Sequence, residues 1–334
     1  MQGSRSIVVA ALALGILSSC TTVADPREAS QPLDGCPVPA GAVIDNAAVP
    51  DGFCAWHWAG DLGAPRGIVV DDDGDVLVLS RWDASVVLLH DDDGDGASGP
   101  GERVTLAQAP GLNHGLAIKD DHLYASSDTT VYLWVYAGDR APLGDPEVVI
   151  DGIPGGGSHT TRTLAFDEAH LYVSVGSAGN VDADSSRARV ARFAIEDLGG
   201  SAIGFGEGEV FADGLRNEVG LAFDSRGRLW GVENGQDQLR RRDFDPPDIH
   251  EDNPAEELNL FAETGRFYGY PYCWSEFSLP SGQGLVPGTQ VTRLEQNGRG
   301  DTLRLEVGSQ EWVLETRIAQ LIQVAPENSG EETE

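Results

Sequence analysis

An acidic stretch in the first third of the chain has the residue types and spacing of a calcium-binding loop. Residues 91–96 read Asp-Asp-Asp-Gly-Asp-Gly, and Glu102 follows. Aspartates at loop positions 1, 3 and 5, glycine at 6 and glutamate at 12 form the pattern that supplies hard oxygen ligands to Ca²⁺. The flanks are a strand pattern and a Pro/Gly loop, so this is not a helix–loop–helix hand. The pattern predicts calcium ligation by Asp91, Asp93, Asp95 and Glu102; the alternative is a solvated acidic turn.

Three further stretches place polar groups next to short apolar runs. They are residues 158–164 (Ser-His-Thr-Thr-Arg-Thr-Leu), 214–220 (Gly-Leu-Arg-Asn-Glu-Val-Gly) and 232–235 (Val-Glu-Asn-Gly). Taken alone, His159 or Arg216 could be a structural hydrogen-bonding residue. Because the stretches occupy the same edge of a repeated unit, however, their shared position favours a common site.

That repeated unit predicts the fold. Short apolar strands begin at residues 67, 115, 163 and 220, and each leads through an Asp/Gly turn to a second strand rich in β-branched and aromatic residues. Hairpins of short strands at a period near 50 residues indicate an all-β protein of the β-propeller type. A helical solenoid would need the 3.6-residue apolar spacing that these units lack. About four to five blades are expected, with Val86–His90 and Val131–Val135 among their outer strands.

The propeller interpretation brings the polar stretches together. In a propeller, the ends of the blades at one edge converge on the central channel, where ligands bind. His159 and Arg216 are therefore expected to be neighbours, although 57 residues separate them in the chain.

Composition excludes some classes of partner. The chain has 334 residues, with 22 Lys+Arg against 54 Asp+Glu, which gives a formal charge of −32. Nucleic acids and anionic membrane surfaces require a basic patch, so neither is expected as a partner. The 42 Gly and 18 Pro suit a fold with many turns, while the 40% hydrophobic content argues against a disordered chain.

The N-terminus has the features of an export signal. Arg5 precedes an apolar run over residues 7–17, which is too short to span a membrane but has the length of a signal-peptide core. The run ends at Leu-Ser-Ser-Cys20, which resembles a bacterial lipobox and implies removal of residues 1–19 and diacylation of Cys20. Thr21, where an Asp would favour inner-membrane retention, favours an outer-membrane anchor facing the periplasm or the cell surface. The alternative is an ordinary secretory signal with an accidental cysteine.

Three cysteines remain after Cys20 is assigned to lipid. An oxidising compartment favours a bridge between a pair of them. We expect Cys36 and Cys54 to pair across a Pro/Gly-containing loop within a tether of residues 20–60, which leaves Cys273 over. The spacings fit neither a zinc ribbon nor a thioredoxin motif.

Motifs in a fixed order resemble a known family. They are His-Thr-Thr-Arg-Thr-Leu-Ala-Phe from residue 159, Leu-Tyr-Val-Ser-Val-Gly-Ser-Ala-Gly-Asn from 171, Gly-Leu-Arg-Asn-Glu-Val-Gly-Leu-Ala-Phe from 214, Glu-Leu-Asn from 257, and Phe-Tyr-Gly-Tyr-Pro-Tyr-Cys from 267. Over about residues 61–285 the chain resembles the pyrroloquinoline quinone (PQQ)-dependent sugar dehydrogenases, particularly the L-sorbosone and pyranose dehydrogenase branch. The resemblance implies a six-bladed propeller that holds PQQ and a calcium ion at one end of the channel.

The resemblance also implies residue roles. His159 matches the general base that takes the substrate hydroxyl proton as hydride passes to PQQ, a task that suits the imidazole pKa. Arg216 matches the arginine that polarises the C5 oxygen of PQQ. Asn217 and Arg162 are the expected cofactor-binding residues. The backbone carbonyls of Gly235 and Gln236 are the expected ligands of a catalytic calcium ion, which acts as a Lewis acid.

The chain departs from the family pattern in two places. Ser177 stands where the soluble glucose dehydrogenases have an aspartate that orients the base. The sorbosone-like branch also has a serine at this position. In addition, the blade pattern is lost after about residue 285. Residues 286–334 are expected to form a divergent, poorly ordered tail where the family has further blades and basic residues for the PQQ carboxylates. The sequence therefore suggests a C-terminally truncated member whose activity is impaired.

Three functional hypotheses follow. The first is an exported, lipid-anchored oxidoreductase that oxidises a sugar or sugar aldehyde with PQQ and calcium, its electron acceptor unspecified. The second is a non-catalytic, calcium-stabilised propeller lipoprotein that binds carbohydrate or a surface partner without using His159. A calcium-dependent propeller hydrolase fits the motifs less well.

Overall fold

The computed structural model describes residues 44, 49–50, 53–238, 257–276 and 289–292. In chain order the strands are β1 Pro65–Val70, β2 Val76–Ser80, β3 Ser85–Leu89, β4 Arg103–Gln108, β5 Leu116–Lys119, β6 His122–Ser126, β7 Val131–Val135, β8 Glu147–Asp151, β9 Leu164–Phe166, β10 His170–Val175, β11 Arg189–Ala194, β12 Ile203–Gly204, β13 Glu209–Asp213, β14 Glu218–Phe223, β15 Leu229–Glu233, β16 Glu257–Phe261, β17 Arg266–Phe267, β18 Cys273–Glu276 and β19 Thr289–Thr292. Two short 3₁₀ helices, Ile195–Asp197 and Phe205–Glu207, join them in the described part.

Within the described part of the chain the strands form four blades, as the repeat predicted. The first blade is the sheet β1-β2-β3-β4, the second is β5-β6-β7-β8 with β12 outermost, the third is β9-β10-β11-β13 with β17 outermost, and the fourth is β14-β15-β16. Neighbouring strands pair antiparallel, except that β12 and β17 add parallel to their sheets. The sequence-based strand over Val131–Val135 coincides with β7, and that over Val86–His90 coincides with β3 to within one residue. A further hairpin pairs β18 with β19.

Apolar side chains pack between adjacent blades. Leu77, Val86 and Trp134 belong to a cluster shared by the first two blades, while Val149 and Val173 belong to one shared by the second and third. Aromatic rings close the interface of the third and fourth blades, where the Tyr172 and Phe223 ring centroids lie 5.5 Å apart. Such layers follow from sheets that are apolar on both faces, because each face must bury itself against a neighbour.

The repeated glycines at the inner strands have a packing reason. A Cβ on Gly115 would lie 2.3 Å from the carbonyl oxygen of Arg162 and 2.5 Å from Ser126 Oγ. Only glycine allows this approach of two blades without displacement. The four inner strands β1, β5, β9 and β14 line a cavity of about 570 Å³.

Contacts between Cα atoms divide the chain into two compact units. Of the described residues, the larger unit contains Ala59–Asp93, the chain from Ser98 onward and the blades; the smaller contains residues 53–58 with Gly94–Ala97. Within the smaller unit, Trp56 Nε1 donates to the Gly96 carbonyl at 2.8 Å. Among the described residues, no helix has the length and hydropathy to cross a membrane.

Candidate active site

Blade connectivity gathers the polar stretches at one edge of the sheets. His159 lies on the connection from β8 into β9, and Arg216 lies on the connection from β13 into β14. The β10–β11 turn reaches the same edge, since the Ser177 amide donates to the Arg216 carbonyl at 2.8 Å. The expected proximity of His159 and Arg216 follows from this topology.

The hydrogen bonds of His159 define its tautomer. Nδ1 lies 2.8 Å from the Ser177 carbonyl oxygen and 3.0 Å from Ser177 Oγ. A carbonyl can only accept, so Nδ1 carries the proton and Nε2 presents a lone pair. The Ser177 hydroxyl donates to the Gly179 carbonyl at 2.7 Å, which leaves its oxygen to accept as well. Ser177 thus holds the His159 ring in one orientation through its carbonyl and its hydroxyl oxygen.

Burial lowers the pKa of His159 below its usual value. The bond to Ser177 opposes this effect, while the positive charges of Arg216 and Arg162 add to it. The imidazole is therefore neutral near neutral pH, and an unprotonated Nε2 is the form that a general base requires.

Gly176 allows His159 and Asn217 to approach each other. A Cβ on Gly176 would lie 2.7 Å from His159 Cβ and 2.5 Å from Asn217 Oδ1. The glycine therefore leaves the space that the two side chains need on either side of the β10–β11 turn. Asn217 is buried at this point, with 8% of its surface exposed.

Arg216 is buried and held from several directions. Its Nε donates to the Asn180 carbonyl at 3.2 Å, and Nη1 donates to the Asn234 carbonyl at 3.1 Å. Nη2 donates to Asn180 Oδ1 at 3.0 Å and to Asp237 Oδ2 at 2.8 Å. Among the described residues these contacts use four of the five N–H groups of Arg216, and one hydrogen on Nη1 has no acceptor there.

The segment expected to hold calcium is anchored at both ends. Gly235 and Gln236 are half-buried between Asn234, whose carbonyl accepts from Arg216, and Asp237. Asn180 binds the backbone of Asp237 twice, because its Oδ1 accepts from the Asp237 amide at 2.9 Å and its Nδ2 donates to the Asp237 carbonyl at 2.7 Å.

The expected cofactor contact of Arg162 does not fit its surroundings. The side chain is completely buried, and its five N–H groups make five hydrogen bonds. Its acceptors are the Asp128 carbonyl and carboxylate and the carbonyls of Pro154, His159 and Thr161. Arg162 therefore has no donor to offer a cofactor. It fixes the backbone of the His159 segment to the neighbouring blade instead.

The buried carboxyl groups of Glu218 and Glu233 lie near Arg216, and the sequence did not predict that they form a pair. Glu218 and Glu233 are opposed across β14 and β15, and 2% and 6% of their surfaces are exposed. Burial raises the pKa of Glu218 to about 8. Burial and the charges of Glu257 and Glu218 raise that of Glu233 well above its ordinary range.

Glu233 supports the backbone of Arg216, and Asn259 links Glu233 to Glu218. The Arg216 amide donates to Glu233 Oε1, and Asn259 Nδ2 lies 3.4 Å from Glu218 Oε1 and 3.3 Å from Glu233 Oε2. The available sequence signal was one glutamate at the end of each of two largely apolar strands, Glu218 at the start of β14 and Glu233 at the end of β15. Their pairing could only come from the register of the sheet.

The acidic loop joins β3 to β4 in the first blade. It lies at the edge of this blade opposite the one that carries the β2–β3 turn. One carboxylate oxygen each from Asp91, Asp93 and Asp95 lies within 4.8 Å of the others. Glu102 is used differently: its Oε1 accepts from the Asp92 amide at 2.8 Å, and its Oε2 accepts from the Gly99 amide at 2.8 Å. The three aspartates are therefore together, while Glu102 organises the backbone of the loop.

The cysteine predictions fall mostly outside the described part of the chain. Cys20 and Cys36 lie outside the described residues, so the lipidation of Cys20 and the pairing of Cys36 stay predictions. Cys54 is disulfide-bonded. The backbone of Cys273 begins β18.

Comparison with known proteins identifies relatives of the same kind. A PQQ-dependent sugar dehydrogenase from Hypocrea jecorina is 34% identical over 254 residues, which cover 69% of this chain and 58% of that protein. A PQQ-dependent pyranose dehydrogenase from Coprinopsis cinerea is 29% identical over 244 residues, covering 68% of this chain and 33% of that protein. The chain thus spans between about one third and three fifths of the length of these relatives.

Solved structures agree. A calcium structure of the Trichoderma reesei family AA12 enzyme matches with a TM-score of 0.67 and 31% identity over 76% of this chain and 68% of that one. The holo PQQ domain of the Coprinopsis cinerea pyranose dehydrogenase matches with a TM-score of 0.60 and 27% identity, over 66% of this chain and 57% of that one. The model of the TrAA12-like family matches residues 47–307. With four propeller blades and this motif order, the chain belongs to the TrAA12-like family.

Proposed function

We propose that this protein is a PQQ-dependent oxidoreductase that oxidises a sugar or a sugar aldehyde. The observation that carries the proposal is the state of His159, a neutral imidazole protonated on Nδ1 that lies beside the buried cation Arg216. A base and a fixed positive charge in one site are what oxidation of a hydroxyl-bearing carbon requires. The relatives described as sugar and pyranose dehydrogenases support the substrate class.

The residues present fit the cofactor at this site. Asn217 and the remaining Nη1 hydrogen of Arg216 would hold the polar edge of PQQ, and the missing side chain of Gly176 lets His159 and Asn217 pack close to each other at this edge. The carbonyls of Gly235 and Gln236 are oxygen donors of the kind that Ca²⁺ prefers. PQQ, when bound, supplies the acceptor for the hydride that leaves the substrate carbon.

The protein residues supply the remaining steps. His159 Nε2 accepts the proton of the substrate hydroxyl, while Ser177 keeps the imidazole oriented and stabilises the charge that develops on Nδ1–H. Arg216 provides positive charge that is already in place before reaction, so little reorganisation is needed. Arg162 keeps the His159 backbone in position through its bonds to the carbonyls of His159 and Thr161.

The test uses the purified chain with PQQ and CaCl₂. We expect PQQ binding by absorbance titration, and reduction of an artificial dye with aldoses, pyranoses or sorbosone. General-base catalysis contributes roughly 10²–10⁴-fold, so H159A should lose about that much dye reduction and keep its PQQ affinity within a few fold. H57A, which removes an exposed histidine, is the matched control.

Two results would count against the proposal. Absence of PQQ binding by the wild-type chain would exclude the oxidoreductase. Carbohydrate binding that H159A leaves unchanged, without dye reduction, would favour a non-catalytic carbohydrate-binding propeller.

Export and anchoring form a second part of the proposal. The apolar segment of residues 7–17 and the lipobox-like Leu-Ser-Ser-Cys20 support a lipoprotein carried on the outer membrane. Expression in a Gram-negative host should give a mature chain that begins at a diacylated Cys20, detected by mass spectrometry and by membrane fractionation. C20S should remain unlipidated, and a C20S variant that fractionates with membranes like the wild type would contradict the anchor.

A further inference from the structure

Asn180 occupies a central position among the groups of the candidate site. It lies half-buried in the β10–β11 turn of the third blade, and its side chain bonds to residues of two other segments. One segment carries Arg216, which leads into the fourth blade. The other follows β15 and carries Gly235 and Gln236. The inference below rests on the proposed function, because it concerns how these two segments act on one cofactor site.

The contacts of Asn180 use both ends of its amide. Oδ1 accepts from Arg216 Nη2 at 3.0 Å and from the Asp237 amide at 2.9 Å, and Nδ2 donates to the Asp237 carbonyl at 2.7 Å. The amide orientation is unambiguous, because a rotated group would turn its NH₂ towards two donors. The Asn180 backbone carbonyl also accepts from Arg216 Nε at 3.2 Å.

These bonds connect the arginine to the expected calcium ligands. Asn234 is fixed directly by Arg216 Nη1, and Asp237 is fixed by Asn180, so both ends of the two-residue segment Gly235–Gln236 depend on the same cluster. Arg216 also meets the carboxylate of Asp237, but that side chain is 72% exposed. Exposed ion pairs contribute little to structure, so the bonds of Asn180 are the stronger connection.

We propose that Asn180 is a positioning residue that couples the cofactor-binding arginine to the calcium-binding segment. Displacing the carbonyls of Gly235 and Gln236 moves Asp237, hence Asn180, and hence the guanidinium of Arg216. Calcium should therefore increase the affinity for PQQ, and PQQ should increase the affinity for calcium by the same factor.

The experiment compares the wild-type chain with N180A and N180D. Hydrogen exchange tests the contact itself, and PQQ titrations with and without CaCl₂ measure the coupling as the ratio of the two dissociation constants. D184A is the matched control, because Asp184 lies in the same turn, is exposed and accepts from Ser186.

For N180A we expect faster amide exchange in residues 231–238 and a PQQ affinity that responds less to calcium. Coupling between sites is commonly at least about fivefold, so the loss should be of that size. N180D keeps the acceptor for Arg216 but loses the donor to the Asp237 carbonyl. It should retain more of the calcium-free PQQ affinity than N180A, yet lose the calcium response to the same extent.

The outcomes separate this inference from the proposed function. If the wild type and N180A bind PQQ with the same calcium response, the coupling role is wrong and the oxidoreductase proposal stands. If N180D keeps the full calcium response, the bond to the Asp237 carbonyl is not the connection, and the inference is also overturned. If the wild type binds no PQQ, the proposed function fails and the coupling fails with it.

Discussion

At the scale of single residues, the chemistry of the site depends on protonation states that burial determines. His159 is kept neutral by burial and by the nearby Arg216 and Arg162, whereas the buried Glu218 is kept protonated. His159 is thereby available as a base, and Glu218 is an uncharged support. In water, a histidine would be charged at acidic pH and a glutamate at neutral pH.

The lowered pKa of His159 predicts the pH dependence of activity. Protonation of Nε2 abolishes the base, and a lowered pKa keeps the base available to lower pH than a free histidine allows. The acid limb of the kcat/KM profile for dye reduction should therefore have an apparent pKa below 6.5. An acid limb at or above 6.5, corrected for PQQ occupancy, would show that the environment of His159 differs from the one described.

Glu218 predicts a pH dependence of stability. Its pKa is raised to about 8, so the folded state holds a proton that the unfolded state releases near its ordinary value of 4.5. The stabilisation of the folded state by this proton is fully present below pH 4.5. It is lost as the pH rises from 4.5 towards 8, by at most about 1.4 kcal/mol per pH unit. E218Q should reduce the decline in unfolding free energy between pH 5 and 8, measured by urea denaturation without calcium.

The matched control for Glu218 is E196Q, which alters an exposed carboxylate in the 3₁₀ helix Ile195–Asp197. It should leave the pH dependence as in the wild type. Equal slopes for E218Q and the wild type would mean that Glu218 is ionised in the folded protein.

At the scale of elements, the site is made by turns and connections, while the strands hold them in place. The β10–β11 turn contributes Gly176, Ser177 and Asn180, and the two entering connections contribute His159 and Arg216. Loops carry the function on a rigid scaffold of strands, as is common.

Gly176 provides a test at this scale. In G176A the added Cβ would meet His159 Cβ and Asn217 Oδ1, so the two side chains must move apart. We expect PQQ affinity to fall at least about tenfold, since about 1.4 kcal/mol of lost contact suffices. G179A is the control in the same turn, because a Cβ there has nothing within 4 Å. Equal effects of the two variants would contradict the packing argument.

At the scale of the whole molecule, the sequence carries a strong negative charge that the fold must tolerate. A formal charge of −32 destabilises a compact state by self-repulsion, and salt screens that repulsion over a Debye length of about 10 Å at 0.1 M. The midpoint of urea denaturation should therefore rise when NaCl increases from 0.01 to about 0.5 M, with a chelator present to exclude calcium binding. A midpoint that falls or stays constant would show that local ion pairs, such as that of Arg162 with Asp128, outweigh the overall repulsion.

Much of the fold could be predicted because its signals are local. Alternating and continuous apolar runs, Asp/Gly turns and their period are properties of adjacent residues, so the blades and strands such as β7 were predictable. The motif order also predicted His159, Arg216 and the segment at Gly235 as parts of the site, and their roles stay predictions. The partners of these residues were not predictable, because Asn180, Asp237 and Arg216 come from three distant segments.

The sequence by itself therefore determined the architecture, the family and the residues that can act as base and cation. Only the tertiary structure decided how each of them is used. It showed that all five N–H groups of Arg162 donate to backbone carbonyls or to Asp128. It also showed that Glu102 accepts from amides of its own loop, and that Glu218 and Glu233 are paired across β14 and β15. The physical reason is that the hydrogen-bond partners and the burial of a side chain depend on which distant segments the blades bring together. A local sequence pattern does not specify those segments.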